Sequence, residues 1–121
     1  MEVKNIIRAI EENTVSLETT NKSGEKVLTK IEGIKIMEGR LIIPKEERVE
    51  HLEENILEND NFLLSVYDSE GKGYKIEGFA RCENCGEELE FIKNLEENLN
   101  KEINGAIILT PMNTEEISWQ A

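Results

Sequence analysis

Two sets of side chains in this 121-residue sequence have the types and spacing to do chemistry. In the first, Cys82-Glu83-Asn84-Cys85-Gly86 sets two thiols three residues apart ahead of a glycine, a spacing that suits a metal knuckle or a dithiol. Zinc takes about four ligands. The chain offers this pair and one histidine distant in sequence, so a closed site would need a second copy of the pair. As a redox dithiol the pair would gain from the start of a following helix and lose from Glu83, Glu87 and Glu88, whose charge raises a thiol pKa. A tight turn with two half-buried thiols is the third reading, and spacing does not choose among the three.

The second set is Lys45, Arg48 and His51. Arg48 and His51 lie three apart on one face of an expected helix, so with Lys45 they can build an anion site. The same side chains equally make an ordinary solvated face paired to Glu47 or Glu54. Tyr67 and Tyr74 fall on facing strands and read as packing. No serine, histidine and carboxylate pattern, glycine-rich phosphate loop or paired-carboxylate motif is present. The side chains alone supply no obvious catalytic machinery.

The elements that must hold these residues follow from hydrophobic period. Val3, Ile6, Ile7 and Ile10 predict a helix with one apolar face. From Thr14 the period becomes two: Val15 and Leu17 alternate with polar residues, Asn21-Lys22-Ser23-Gly24 turns the chain, and Val27 to Ile31 completes a hairpin. Strands over 34–37 and 40–43 meet at Glu38-Gly39, a turn suited to positive φ, and Pro44 ends their pairing. Val49, Leu52, Ile56 and Leu57 predict a helix between Lys45 and Asn59, with Glu46 and Glu47 in its first turn. A hairpin of 62–68 and 74–81 closes through Ser69 to Gly73. Leu89, Ile92, Leu95, Glu96 and Leu99 predict a third helix, and Ala106 to Leu109 a buried strand that stops at Pro111. A last extended piece carries Ile117 and Trp119. Strands joined mainly by short turns imply an antiparallel sheet, and about six of them can escape open edges by closing into a barrel with helices over its ends.

Length bounds the rest. One domain over 1–121 is expected, because the chain shows no repeat or linker and is too short to divide comfortably. Twenty-six acidic residues against fourteen basic ones give a net charge of −12, which argues against nucleic acid and anionic membrane as partners. No apolar run approaches the roughly 20 residues that cross a bilayer, and Met1-Glu2-Val3-Lys4-Asn5 lacks the order of a secretory signal, so a cytoplasmic protein is expected.

The order of these elements, with the segments Lys35 to Pro44, Glu54-Asn55-Ile56, Leu63 to Val66, Gly73 to Ala80 and Ala106 to Pro111, resembles the FMN-binding split barrel. This is the fold of the pyridoxamine 5'-phosphate oxidase-like family, and the likeness is to its smallest single-domain FMN-binding members. What the resemblance implies is a mainly β fold, an antiparallel Greek-key split β-barrel with about three flanking α-helices. It also implies a homodimer with two FMN sites at the subunit interface. Leu28, Thr29 and Lys30 match the family strand along which the isoalloxazine lies, and Ile43, Pro44 and Lys45 match the end of the next strand, beside ring and ribityl. The family's phosphate-holding lysine and threonine fall at His51 and Leu52, and Lys45, Arg48 and His51 are the candidates for a substitute phosphate site. Trp119 occupies the C-terminal region that in relatives reaches the flavin of the other protomer. The implied activity is flavin-dependent hydride or electron transfer to a small acceptor, an oxidoreductase with FMN, or less favourably a deazaflavin. The alternative is a cofactor-free dimer, its site emptied by Leu52, Glu46 and Glu47, that acts as a binding or structural protein with or without metal at Cys82 and Cys85.

Overall fold

A computed structural model describes residues 3–46, 49–68 and 70–117. Helix α1 (Val3–Glu12) is followed by the hairpin β1 (Val15–Thr20) and β2 (Lys26–Ile31), which pair from Val15↔Ile31 to Thr20↔Lys26. Asn21 makes the turn, its Oδ1 accepting the backbone N–H groups of Ser23 and Glu25 at 3.0 and 2.9 Å. A second hairpin joins β3 (Lys35–Met37) to β4 (Arg40–Pro44). Glu38 and Gly39 between them both have positive φ, 50° and 80°, the backbone a two-residue turn needs to match strand twist. Helix α2 (Glu50–Glu58), β5 (Asn61–Tyr67), β6 (Gly73–Glu83), α3 (Glu87–Lys93), a single 3-10 turn at Glu96–Asn98 and β7 (Ala106–Ile117) complete the chain.

All seven strands join one antiparallel sheet in the order β2-β1-β5-β6-β7-β4-β3. The barrel is split, as the expected fold requires: among the described residues the sheet does not close, and β2 and β3 remain edges. Helix α1 packs against both β3 and β5, which lie far apart in that order, so the sheet must curl toward itself and α1 spans the split. The three-residue β3 and the lysines of β2 are the usual protection of such edges.

Two apolar clusters form on the two faces. Inside the curl, Ile6, Ala9 and Ile10 of α1 and Val49, Leu52 and Ile56 at α2 meet Val15, Leu17, Ile43, Leu64, Ile76 and Leu109 of the strands. Outside, Leu89 and Ile92 of α3 with Ile103 cover Ile42, Ala106 and Ile108. Glu88 fixes α3 there, accepting hydrogen bonds from Arg40 of β4 and, at 3.0 Å, from Arg81 of β6.

Four expectations are corrected by packing. Leu57 stands 76% exposed, because the buried face of α2 runs through 49, 52 and 56 and residue 57 points about 100° away from it. The third helix stops at Lys93: the Asn94 side chain bonds the carbonyl of Glu90 and the Asn98 side chain that of Ile92, so Leu99 is left outside. The first-turn acids of α2 are Glu50 and Glu53; Glu46 precedes the helix and pairs with Lys101 at 3.4 Å, and Glu47 lies outside the described residues. Finally, β7 runs through Pro111. From Thr110 onward β4 no longer flanks it, and the register shifts between Glu77 and Gly78 opposite, where an edge and a bulge tolerate proline.

That bulge demands glycine. A Cβ on Gly78 would lie 2.0 Å from the carbonyl oxygen of Thr110, so any other residue must push β7 off β6. Gly78→Ala should lower stability by about 2 to 4 kcal/mol in urea denaturation. A loss under about 0.5 kcal/mol would mean that β7 can back away freely.

Candidate functional site

Thr29 sits on β2 with its side chain on the concave face, in the row shared by Val27 and Ile31 and, across the pairing, by Leu17 and Thr19 of β1. Above it lies the first part of α2. The apolar side of that helix would settle only its general position, and two polar side chains one turn apart refine it. Asn55, buried on the helix underside, donates to Oγ1 of Thr19 at 3.1 Å, and Nε2 of His51 lies 2.8 Å from Oγ1 of Thr29. The helix is thus pinned to two adjacent strands, and at the solvent end of the row Thr29 and His51 come together. His51 is exposed, and among the described residues β2 has no strand on its other side.

Lys45 leaves β4 with its backbone N–H bonded to the carbonyl of Gly105 at 2.9 Å. Its ammonium is ion-paired with Glu53 of α2, which raises the lysine pKa by hydrogen bonding and charge despite the opposing effect of partial burial. Its stem passes over Gly105, next to the carbonyl of Glu83 and the side chain of Asn84. Cys82 belongs to the same neighbourhood: burial, then the charge of Glu53, pushes its thiol pKa up, while Lys45 pulls it down. Cys82 also borders an open cavity of about 480 Å³ between the end of α2 and β6.

The other expected residues are dispersed. Leu28 and Lys30 alternate onto the convex face of β2, Leu28 at 65% exposure. Ile43 and Leu52 are enclosed in the concave core, Leu52 fully, where it serves packing and offers no polar atom. Pro44 is buried and backs a cavity of about 390 Å³ lined by Glu32, Glu46, Glu97 and Lys101, a surface of mostly negative sign. Arg48 and Trp119 lie outside the described residues. Of the expected set, the structure joins Thr29 to His51 and sets Lys45 apart with Glu53.

Glu53 and Asn55 were not among the expected residues. An asparagine between Leu52 and Ile56 on an apolar helix face, and a threonine continuing the inward row of Val15 and Leu17, were readable signs of a buried polar bond. The eight-residue separation of Lys45 and Glu53 carried no such sign.

Both cysteines are free, Cys82 half-buried and packed against the concave core, Cys85 exposed. Among the described residues no group of three or more histidine, cysteine or carboxylate side chains is set to hold a metal. Near pH 7, iodoacetamide should label Cys85 at least about tenfold faster than Cys82, as followed by peptide mass mapping, and Cys82 should accelerate as the pH rises toward about 9. Equal rates would contradict the burial of the Cys82 thiol.

No family model matches the sequence, and no curated protein matches it. Solved structures do. HupZ of Group A Streptococcus, 15% identical, superposes with a TM-score of 0.84 over 97% of this chain and 94% of that one. An FMN-binding protein of Syntrophomonas wolfei, 14% identical, gives 0.77 over 98% and 88%. A pyridoxamine 5'-phosphate oxidase candidate of Lactobacillus delbrueckii, 13% identical, gives 0.74 over 95% and 93%. No helix among the described residues is long and apolar enough to cross a membrane. The chain has the mainly β split-barrel fold of the FMN-binding and pyridoxamine 5'-phosphate oxidase-like proteins, in support of the family likeness read from its segments.

Proposed function

We propose that this chain is an FMN-binding flavoprotein that works as a homodimer in the cytoplasm, with the flavin lying along β2 and its polar chain served by Thr29 and His51. The observation that carries the reading is the 2.8 Å contact between these two residues, which unites at one exposed place the residues that the family likeness puts beside ring and phosphate. The open edge of β2 supports it, since unpaired strand N–H and C=O groups match the donors and acceptors on the rim of an isoalloxazine. A bound flavin would supply hydride or electron transfer to a small acceptor; the side chains bind, orient and exclude water. Leu28 and Lys30 on the convex face, and Trp119 from the other protomer, complete the proposed surroundings. Ile43 and Pro44 would support the site from behind, and Lys45 and Arg48 are the proposed phosphate cations.

One observation favours a second reading. Lys45 is held by Glu53, and the cavity next to Pro44 is lined by Glu32, Glu46 and Glu97, so the phosphate end has little free positive charge among the described residues. Under this reading the split barrel is a cofactor-free dimer with a binding or structural role, and a metal shared between two Cys82–Cys85 pairs is its variant.

A flavin titration separates the two. Purified protein should quench FMN fluorescence with a Kd of about micromolar or tighter, and Thr29→Val should weaken binding about tenfold. A colourless protein that leaves the fluorescence unchanged at millimolar FMN would sink the flavin reading in favour of the second.

A further inference from the structure

His51 is the only histidine in the chain, and the number of hydrogen-bond donors it and Thr29 offer outward depends on one proton. A neutral imidazole with its hydrogen on Nε2 donates to Oγ1 of Thr29; the hydroxyl hydrogen stays available to a ligand, but Nδ1 presents a lone pair. With the hydrogen on Nδ1, that N–H is available, but Thr29 must donate its hydroxyl hydrogen to Nε2. Each neutral form leaves one donor. The imidazolium leaves two, Nδ1–H and the Thr29 hydroxyl, and adds a positive charge.

The surroundings make that proton matter. Among the described residues Nδ1 makes no hydrogen bond. The charged neighbours of His51 along α2 are Glu50 and Glu54, while Glu47 and Arg48 lie outside the described residues. The concave faces of β2 and β1 beneath it carry Val27, Ile31, Leu17 and Thr19, none of them charged. No described residue on these faces is a cation.

We propose that Thr29 and His51 form a proton-gated anion site, which takes a phosphate monoester when the imidazole is protonated and releases it when the imidazole is neutral. The proposal deepens the flavin reading, taking its location from it, and makes the FMN phosphate the expected occupant. Ligand binding and proton uptake are then linked, so a bound phosphate raises the pH at which the ring titrates, and affinity rises as pH falls through that titration. The second ionisation of the phosphate, near about pH 6, works in the opposite sense because the monoanion is the weaker ligand. His51→Gln keeps a hydrogen-bonding partner for Thr29 without a titrating proton, and so isolates the contribution of the ring.

A single histidine makes the ring resonances directly assignable by NMR in the full chain. The titration is run from about pH 8 to about pH 5, across the ordinary imidazole range, for the chain alone and with inorganic phosphate, FMN or riboflavin, which has no phosphate. The midpoint should rise by about half a unit or more with phosphate and FMN and stay in place with riboflavin. FMN affinity should improve about fivefold to tenfold between about pH 7.5 and about pH 5.5 relative to His51→Gln. A midpoint unmoved under saturating FMN would overturn the proposal and leave the flavin reading standing. A midpoint moved by inorganic phosphate in a protein that binds no flavin would support the proposal and end the flavin reading. No movement with either ligand in a protein that binds no flavin would overturn both.

Discussion

The pairing of β6 with β7 is the constraint on which the remaining structure depends. It runs from Gly73↔Ile117 to Glu83↔Ala106, and every other strand hangs from one side of it or the other: β5, β1 and β2 from β6, β4 and β3 from β7. Because β6 outruns β5, which pairs only as far as Phe79, its last residues carry Cys82 out to Lys45 and Glu53. The bulge opposite Gly78 takes up one extra residue of β7, Met112, and it works only because Gly78 has no Cβ to meet Thr110. Strand β2, the site's own strand, is three pairings removed from this ribbon, at the edge of the sheet, so its outer side is left open among the described residues.

Apolar burial places the helices roughly, and a few polar bonds complete their placement. A helix on a sheet can slide or rotate with little change in apolar area, whereas a buried hydrogen bond is satisfied in one position and costly to leave unmade. On the concave side that role falls to Asn55 with Thr19, which sets α2 at the height where His51 meets Thr29. On the convex side it falls to Glu88, held between Arg40 and Arg81. In each case the polar partner lies on a different element, so these bonds encode tertiary position rather than helix formation.

Much of this was legible in the sequence, for reasons that differ by element. Strands β1, β2, β5 and β6 alternate because one face of each is buried, and turns such as Asn21 to Gly24 and Glu38-Gly39 have strong local chemistry, so the hairpins could be read closely. The helix ends were harder. Leu57 and Leu99 are apolar and fit a helical period, yet only the position of the sheet decides that residue 57 faces solvent and that Asn94 and Asn98 end the third helix. Pro111 misled because its effect depends on whether a neighbouring strand is present, which is a property of β4 rather than of β7. At the candidate site, the chemical types of Thr29 and His51 were visible, and their contact was not: it joins residues 22 apart through a helix docked on two strands.

The electrostatics of the chain explain why the Thr29–His51 pair at this place is consequential. With a net charge of −12, several lysines and arginines among the described residues are already committed, Lys35 to Glu97, Lys45 to Glu53, Arg40 and Arg81 to Glu88, and Lys101 to Glu46. Each such pair is a local neutralisation that weakens the cation's pull on an anion while adding little to stability where it is exposed. An anionic ligand approaching the concave rim of β2 is therefore repelled by the net charge of the molecule and depends on short-range donors there. Backbone edge groups and hydroxyls are such donors, and they are uncharged. An imidazole can carry a proton or not, so it can add a positive charge at this place without a change in fold.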